Sequence, residues 1–190
     1  MMISPIRHSV LAAVAVFGLV FAAPLAAPAQ EMAPSVVAVV DYESILRDCS
    51  AGQSLRQQIS AKREAFQTEV EKAEQELRAA EQDLKDQQSL LSVEAFAQKR
   101  QEFQARVAEV QKFVQARKQT LDQALTKGEE AIRQATVGIL GAMAKERGFN
   151  IVLSLRQVLL VESSYNVTEA VLAELNRRHP AIAVDFGVEP

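Results

Sequence analysis

The 190-residue chain contains no tryptophan, two tyrosines, two histidines and one cysteine. Each shortage removes a class of function. A lone cysteine, Cys49, excludes an intrachain disulfide, so packing must hold the fold. Cys49 reads as a small, partly buried apolar residue, with a free reactive thiol as the sharper alternative. His8 falls in a leader segment described below, which leaves His179 alone beside Pro180. One histidine without cysteine support does not make a metal site. The chain has no H-E-x-x-H, G-x-S-x-G or C-x-x-C motif and no glycine-rich phosphate loop. Catalysis needs convergent groups with tuned pKa values, and none are in view. The expectation is a protein that is not an enzyme and takes no cofactor and no metal. A net charge of −3 gives no basic surface for phosphates, so nucleic acid is not an expected partner.

The start of the chain reads as a leader. Arg7 and His8 precede an apolar run over residues 10–23, and small residues end in Ala27-Pro28-Ala29. That is the order of a secretory signal peptide, with cleavage expected after Ala29. A transmembrane anchor is the alternative, but the run is short of the ~20 apolar residues that a span needs. The remaining 161 residues carry 20 basic and 24 acidic side chains, a net charge of −4.

Residues 53–147 hold no proline and only three glycines, Gly128, Gly138 and Gly141. Glutamine, glutamate, alanine and lysine are abundant there, as in long helices. Ile59, Phe66, Ala73 and Ala80 interleave with Val70, Leu77, Leu84 and Leu91 at spacings of three and four. Such a stripe lies on one helix face and persists over three heptads, the pattern of a coiled coil. Gln87 and Gln88 interrupt it, and Ser92, followed by Glu94, can cap a second helix. A second stripe runs through Phe96, Phe103, Val107, Val110, Val114, Leu121, Leu125, Ile132, Ile139 and Met143. Lys145 and Arg147 suit its C-terminal turn, and Gly148 its left-handed cap. The two helices would be antiparallel, roughly 50 Å and roughly 80 Å long at 1.5 Å per residue. The three glycines permit close helix approach or bending, or reflect plain packing tolerance.

Around this hairpin lie short apolar runs. Residues 36–40 are β-branched and predict a strand. Residues 150–154 and 158–161 predict two more, with a turn at Arg156 and Gln157. Asn166 and Glu169 fit a capping box for a last helix with Val167, Val171, Leu172 and Leu175 inward. Residues 181–186 predict a further short strand. The domain reading is a leader at 1–29, a β-rich body with a C-terminal helix from 30–52 and 148–190, and an arm from 53–147. The fold class is α+β, mostly α: a long antiparallel coiled-coil hairpin inserted in a small β-strand body. A body of roughly 65 residues is a small core, and its open strand edges are an aggregation hazard. Association of subunits solves both, and Val37, Val39, Ile151, Leu153, Leu159 and Val161 are the candidate interface residues.

Charge along the arm is balanced, with 16 basic and 15 acidic side chains. Its distal part, residues 78–110, has five basic and six acidic. Leu90, Leu91, Val93, Phe96 and Phe103 cluster there. They either close the hairpin's own seam or face outward to touch apolar partners.

Four segments in order resemble the Skp/OmpH family of periplasmic chaperones: VVAVVDYESIL (36–46), AGQSL (51–55), LSVEAFAQKRQEFQARVAEVQKFVQARKQTL (91–121) and GFNIVLSLRQVLLVESSYNVTEAVLAELN (148–176). The resemblance implies a jellyfish-like homotrimer in the periplasm, with a shared β-body and three projecting arms around a cavity. It implies an ATP-independent holdase that binds unfolded outer-membrane proteins before insertion, with the outer-membrane assembly machinery as a further partner. Family members often carry a basic tip associated with lipopolysaccharide. Here the tip is −1, which argues against that ligand; Lys99, Arg100 and Arg106 are the candidate remnants. Asn166 stands where aspartate is common in the family, and both cap helices. A structural spacer or adaptor of an envelope complex is the alternative function. Spacers favour a regular seam, which the glutamines and glycines interrupt.

Overall fold

Strand β1, Val37–Val40, and strand β2, Ile151–Ser154, form a two-stranded parallel sheet in a computed structural model that describes residues 33–187. Val37 lies opposite Ile151 and Val40 opposite Ser154. Asn150 fixes the register from outside the ladder, its Oδ1 accepting the Val36 N–H at 2.8 Å. Everything between the strands is helix or turn, so the helical hairpin is an insertion in the strand pair, as the sequence predicts. The proposed leader, residues 1–29, lies outside the described residues.

After β1 the chain does not simply turn. Asp41 accepts the Ser44 N–H at 3.0 Å and caps a short helix, α1, Tyr42–Asp48. Cys49 is extended and breaks the axis. Helix α2, Ser50–Gln87, then starts with two unusual caps: Cys49 Sγ accepts the Gly52 N–H at 3.1 Å, and Asn176 Oδ1 accepts the Ser50 N–H at 2.8 Å. Gly52 is required by space. A Cβ there would stand 2.2 Å from the Leu46 carbonyl oxygen. Cys49 is fully buried, more so than the partial burial read from the sequence.

At the far end Ser92 accepts the Ala95 N–H at 3.2 Å and opens helix α3, Val93–Arg147, with Glu94 in its first turn. The helix ends as expected, with Lys145 and Arg147 in the last turn and Gly148 left-handed at φ 80°. Gly128 lets the two helices touch, since a Cβ there would come within 2.5 Å of a Leu55 methyl. At Gly138 and Gly141 an added Cβ meets nothing within 4 Å, so these two serve no close approach among the described residues.

The core gathers at the arm's root. Ile45 of α1, Leu55 and Ile59 of α2, and Ala124, Ile132, Ile139 and Met143 of α3 pack with Val171 and Leu175 of α4, Thr168–Arg178. Polar ties fasten α4 to β1. Asn166 Oδ1 accepts from the Thr168 N–H and hydroxyl at 3.0 and 2.6 Å, and Thr168 Oγ1 accepts the Asp41 N–H at 2.9 Å. The helix N-cap is Val167, without a side-chain cap, so the expected box of Asn166 and Glu169 is replaced by a local brace from Asn166 to Thr168.

Three expectations need correction. Residues 158–161 form no strand. The chain turns through 3-10 segments at Leu155–Gln157 and Ser163–Tyr165, and Leu159 between them is wholly exposed. An apolar run without a main-chain partner has no ladder to join. Residues 181–186 belong to no sheet; a glutamine side chain bonds their main chain instead. In the second stripe Val114 faces out, and Phe113 and Arg117 occupy the seam.

Candidate functional site

The arm changes character with distance from the body. Phe66 is its last buried residue on α2, and Ala124 the first on the return. None of residues 67–123 is buried. Seam residues Leu77, Leu84, Phe103, Val107 and Val110 are half-buried, since two helices alone can shield only one side of each apolar side chain. At 1.5 Å per residue this open-seamed stretch extends about 30 Å.

A cationic stack marks the border. The Arg117 guanidinium lies 4.6 Å from the Phe66 ring centre and 4.8 Å from that of Phe113. Its terminal nitrogen is 2.9 Å from Glu69 of the opposite helix. Arg117 Nε has no hydrogen-bond partner among the described residues, and the ring faces supply part of the compensation. Lys62 covers the Phe66 ring at 4.7 Å. Only Phe66 of this group was marked by apolar periodicity. The others are invisible to a hydrophobic pattern because their charged heads share the seam through aromatic faces.

The tip carries the candidate contact residues in two states. Leu90 and Val93 are 80% and 83% exposed on either side of the turn. Leu91, Phe96 and Phe103 are half-buried. Leu90 and Val93 therefore face outward, and the other three are partly covered in the hairpin's seam. Lys99, Phe103 and Arg106 come together with Asp83 and Glu102 around a small hollow of about 80 Å³. Two cations face two anions there, and Lys99 is 3.9 Å from Glu102. The hollow offers no surplus of positive charge. Arg100 is exposed outside it.

At the body, Ile151 and Leu153 of β2 are exposed, as is Leu159, while Val37 and Val161 are half-buried. Val39 differs: it is 2% exposed, already covered within the chain. The outer edge of β2 thus has no strand beside it among the described residues and carries partly exposed apolar side chains, whereas β1 also bridges to Asn166.

One further surface lies at the arm's root, where residues 181–187 cross both helices. Gln58 Nε2 donates to the Ile182 carbonyl at 2.7 Å, and Gln58 Oε1 accepts the Val184 N–H at 3.3 Å. Asp185 lies 3.4 Å from Lys127 of α3, and the Phe186 ring 5.8 Å from Lys62. The Gly187 N–H and then Lys127 hold the Asp185 carboxyl below its ordinary range. Among the described residues no three histidine, cysteine, aspartate or glutamate side chains gather as metal ligands, and no helix is long and apolar enough to cross a membrane.

Comparisons agree with this architecture. No curated protein matches the chain's sequence. The crystal structure of a candidate outer membrane chaperone (OmpH-like) from Caulobacter crescentus CB15 superposes with a TM-score of 0.72 at 16% identity, covering 81% of this chain and 91% of that one. At that identity the likeness speaks for the fold: a hairpin arm on a small body. The family described as outer membrane protein (OmpH-like) matches residues 36–175, from the first strand through nearly all of the last helix, and the chain belongs to that family.

Proposed function

We propose that the chain is an ATP-independent periplasmic holdase that binds unfolded outer-membrane proteins and keeps them from aggregating before insertion. The observation that carries this reading is the arm itself: residues 67–123 include no buried side chain, yet retain a continuous half-covered apolar stripe ending in exposed Leu90 and Val93. Membership of the OmpH-like family supports it, as does the Caulobacter relative's description as a candidate outer membrane chaperone.

The physical case runs from the client. A transmembrane barrel strand alternates apolar and polar residues, and in water such strands pair edge to edge. A holdase that binds only the unfolded chain shifts that balance by mass action, without a nucleotide. Shallow contacts along an arm are individually weak. Several arms around one client make later contacts intramolecular, which raises the overall hold. The reading therefore includes a homotrimer, joined through the bare β2 edge with Ile151, Leu153 and Leu159, and export by the leader at 1–29. Release follows when insertion into the membrane removes the client's exposed surface. No catalytic step enters.

The test is light scattering of a urea-denatured outer-membrane protein on dilution. Near-stoichiometric chain should suppress the signal. Unchanged scattering would remove the holdase reading.

A further inference from the structure

The segment 181–187 lies past the stretch 36–175 that the family matches, and it is built unlike the rest of the body. Its side chains alternate: Ile182, Val184 and Phe186 are half-buried, and Ala181, Ala183 and Asp185 are exposed. That is the two-residue period of an extended strand with one face covered. Its main chain pairs with a side chain. Gln58 presents an amide donor and an amide acceptor to the Ile182 carbonyl and the Val184 N–H, as a neighbouring strand would. Contacts of this kind read backbone and are blind to sequence. Beside Ile182 a hollow of about 350 Å³ remains, lined by Ala51, Ile132, Ala135 and Leu175 and edged by Gln134 and His179. The segment's own small residues leave it partly open, so larger apolar side chains fit there. What fastens the segment is modest: two hydrogen bonds to one glutamine, an exposed ion pair, a lysine–ring contact at 5.8 Å and three half-buried side chains. Such a segment opens locally at low cost.

We propose that the groove at the arm's root, formed by Gln58 and Lys62 of α2 and Lys127 of α3, binds extended polypeptide with apolar side chains at alternate positions, and that residues 181–187 are its resident intramolecular occupant, displaced when a client strand enters. This deepens the holdase reading and rests on it for the client's identity. The resident segment covers an adhesive groove in the idle protein. It also reduces apparent client affinity by the fraction of time that the groove is closed. Lys127 and Lys62 bias the site toward strands with an acidic residue followed by an aromatic one, as in Asp185-Phe186.

The test uses the whole chain and a fluorescein-labelled peptide with the sequence of residues 180–187, read by fluorescence anisotropy. Two variants loosen the resident segment by different routes: Ile182→Ser with Phe186→Ser removes its anchors, and Asp185→Lys sets like charge against Lys127. Each should bind the peptide about tenfold more tightly than the unaltered chain, the gain expected for a groove otherwise about 90% closed. Adding Gln58→Ala to the first variant should abolish that gain. Equal affinity in the unaltered chain and both loosened variants overturns the proposal, as does a gain that survives Gln58→Ala. The peptide measurement decides the groove alone, and aggregation suppression by the unaltered chain decides the holdase reading.

Discussion

Alanine at Gly128 should destabilise the protein, while alanine at Gly138 and Gly141 on the same helix should not. The helix propensity gain is common to all three, up to about 1 kcal/mol each for glycine to alanine in a helix interior. The surroundings decide the sign. At Gly128 the new Cβ would lie 2.5 and 2.9 Å from the two Leu55 methyls and 3.2 Å from Leu55 Cγ. Leu55 is 1% exposed, and although it borders a hollow shared with Leu46 and Leu125, its whole isobutyl group must leave its packed position to make room. Overpacking of this kind costs about 1–3 kcal/mol, so a net loss of about 1 kcal/mol is expected. At Gly138 and Gly141 nothing lies within 4 Å, and the propensity gain stands. Leu55→Ala alone should cost about 2–5 kcal/mol through the cavity it leaves. Combined with Gly128→Ala it should cost less than the sum, with a coupling of at least about 1 kcal/mol. Urea unfolding followed at 222 nm, at one fixed chain concentration because association shifts stability, gives all the values. The reasoning fails if Gly128→Ala stabilises as much as Gly138→Ala, or if the two changes at positions 55 and 128 are additive. Loss of stability at both Gly138 and Gly141 would instead place another subunit's surface on that face.

Other outcomes follow from the same contacts. The Glu174 carboxyl is pulled down to about 2 by hydrogen bonds from Arg177 and then Arg178, so its contribution is present above the ordinary carboxylate value and is lost as pH falls from about 4.5 towards 2; carboxyl NMR titration of Glu174 should place the midpoint near the lower figure, and Arg177→Ala should raise it. Asn166→Ala removes the acceptor for two Thr168 donors and should cost about 1–2 kcal/mol in thermal unfolding. Leu153→Asp, on the exposed edge of β2, should lower the mass in sedimentation equilibrium without loss of helix, and an unchanged mass would reject that edge as the subunit interface. Val39→Asp buries a charge inside the chain and should unfold the subunit itself.

The hairpin was legible because its signals were local. Spacings of three and four, Ser92 with Glu94, and Gly148 after Lys145 and Arg147 each specify a helix or its end without reference to the rest of the chain. The failures are non-local. Residues 158–161 have the composition of a strand, but a strand needs a partner, and composition does not say whether one is present. Residues 181–186 have the period of a strand, but Gln58, more than a hundred residues earlier, supplies the pairing. The same limit hid Arg117. Its head enters an apolar seam only because Phe66 and Phe113 offer ring faces on both sides and Glu69 a counter-charge, and no single-sequence pattern marks such an arrangement.

The parallel pairing of Val37 with Ile151 sets an order of assembly. The two partners are separated by the entire hairpin, so β1 is synthesised long before anything exists for it to pair with. Closing so long a loop from a random chain is entropically unfavourable. An antiparallel rod folded first changes the problem, because its two ends return to the same place and deliver Ile151 beside Val37. The arm is therefore also the scaffold on which the base is finished, and a lesion at its tip that keeps the helices from doubling back would leave the distant sheet unmade.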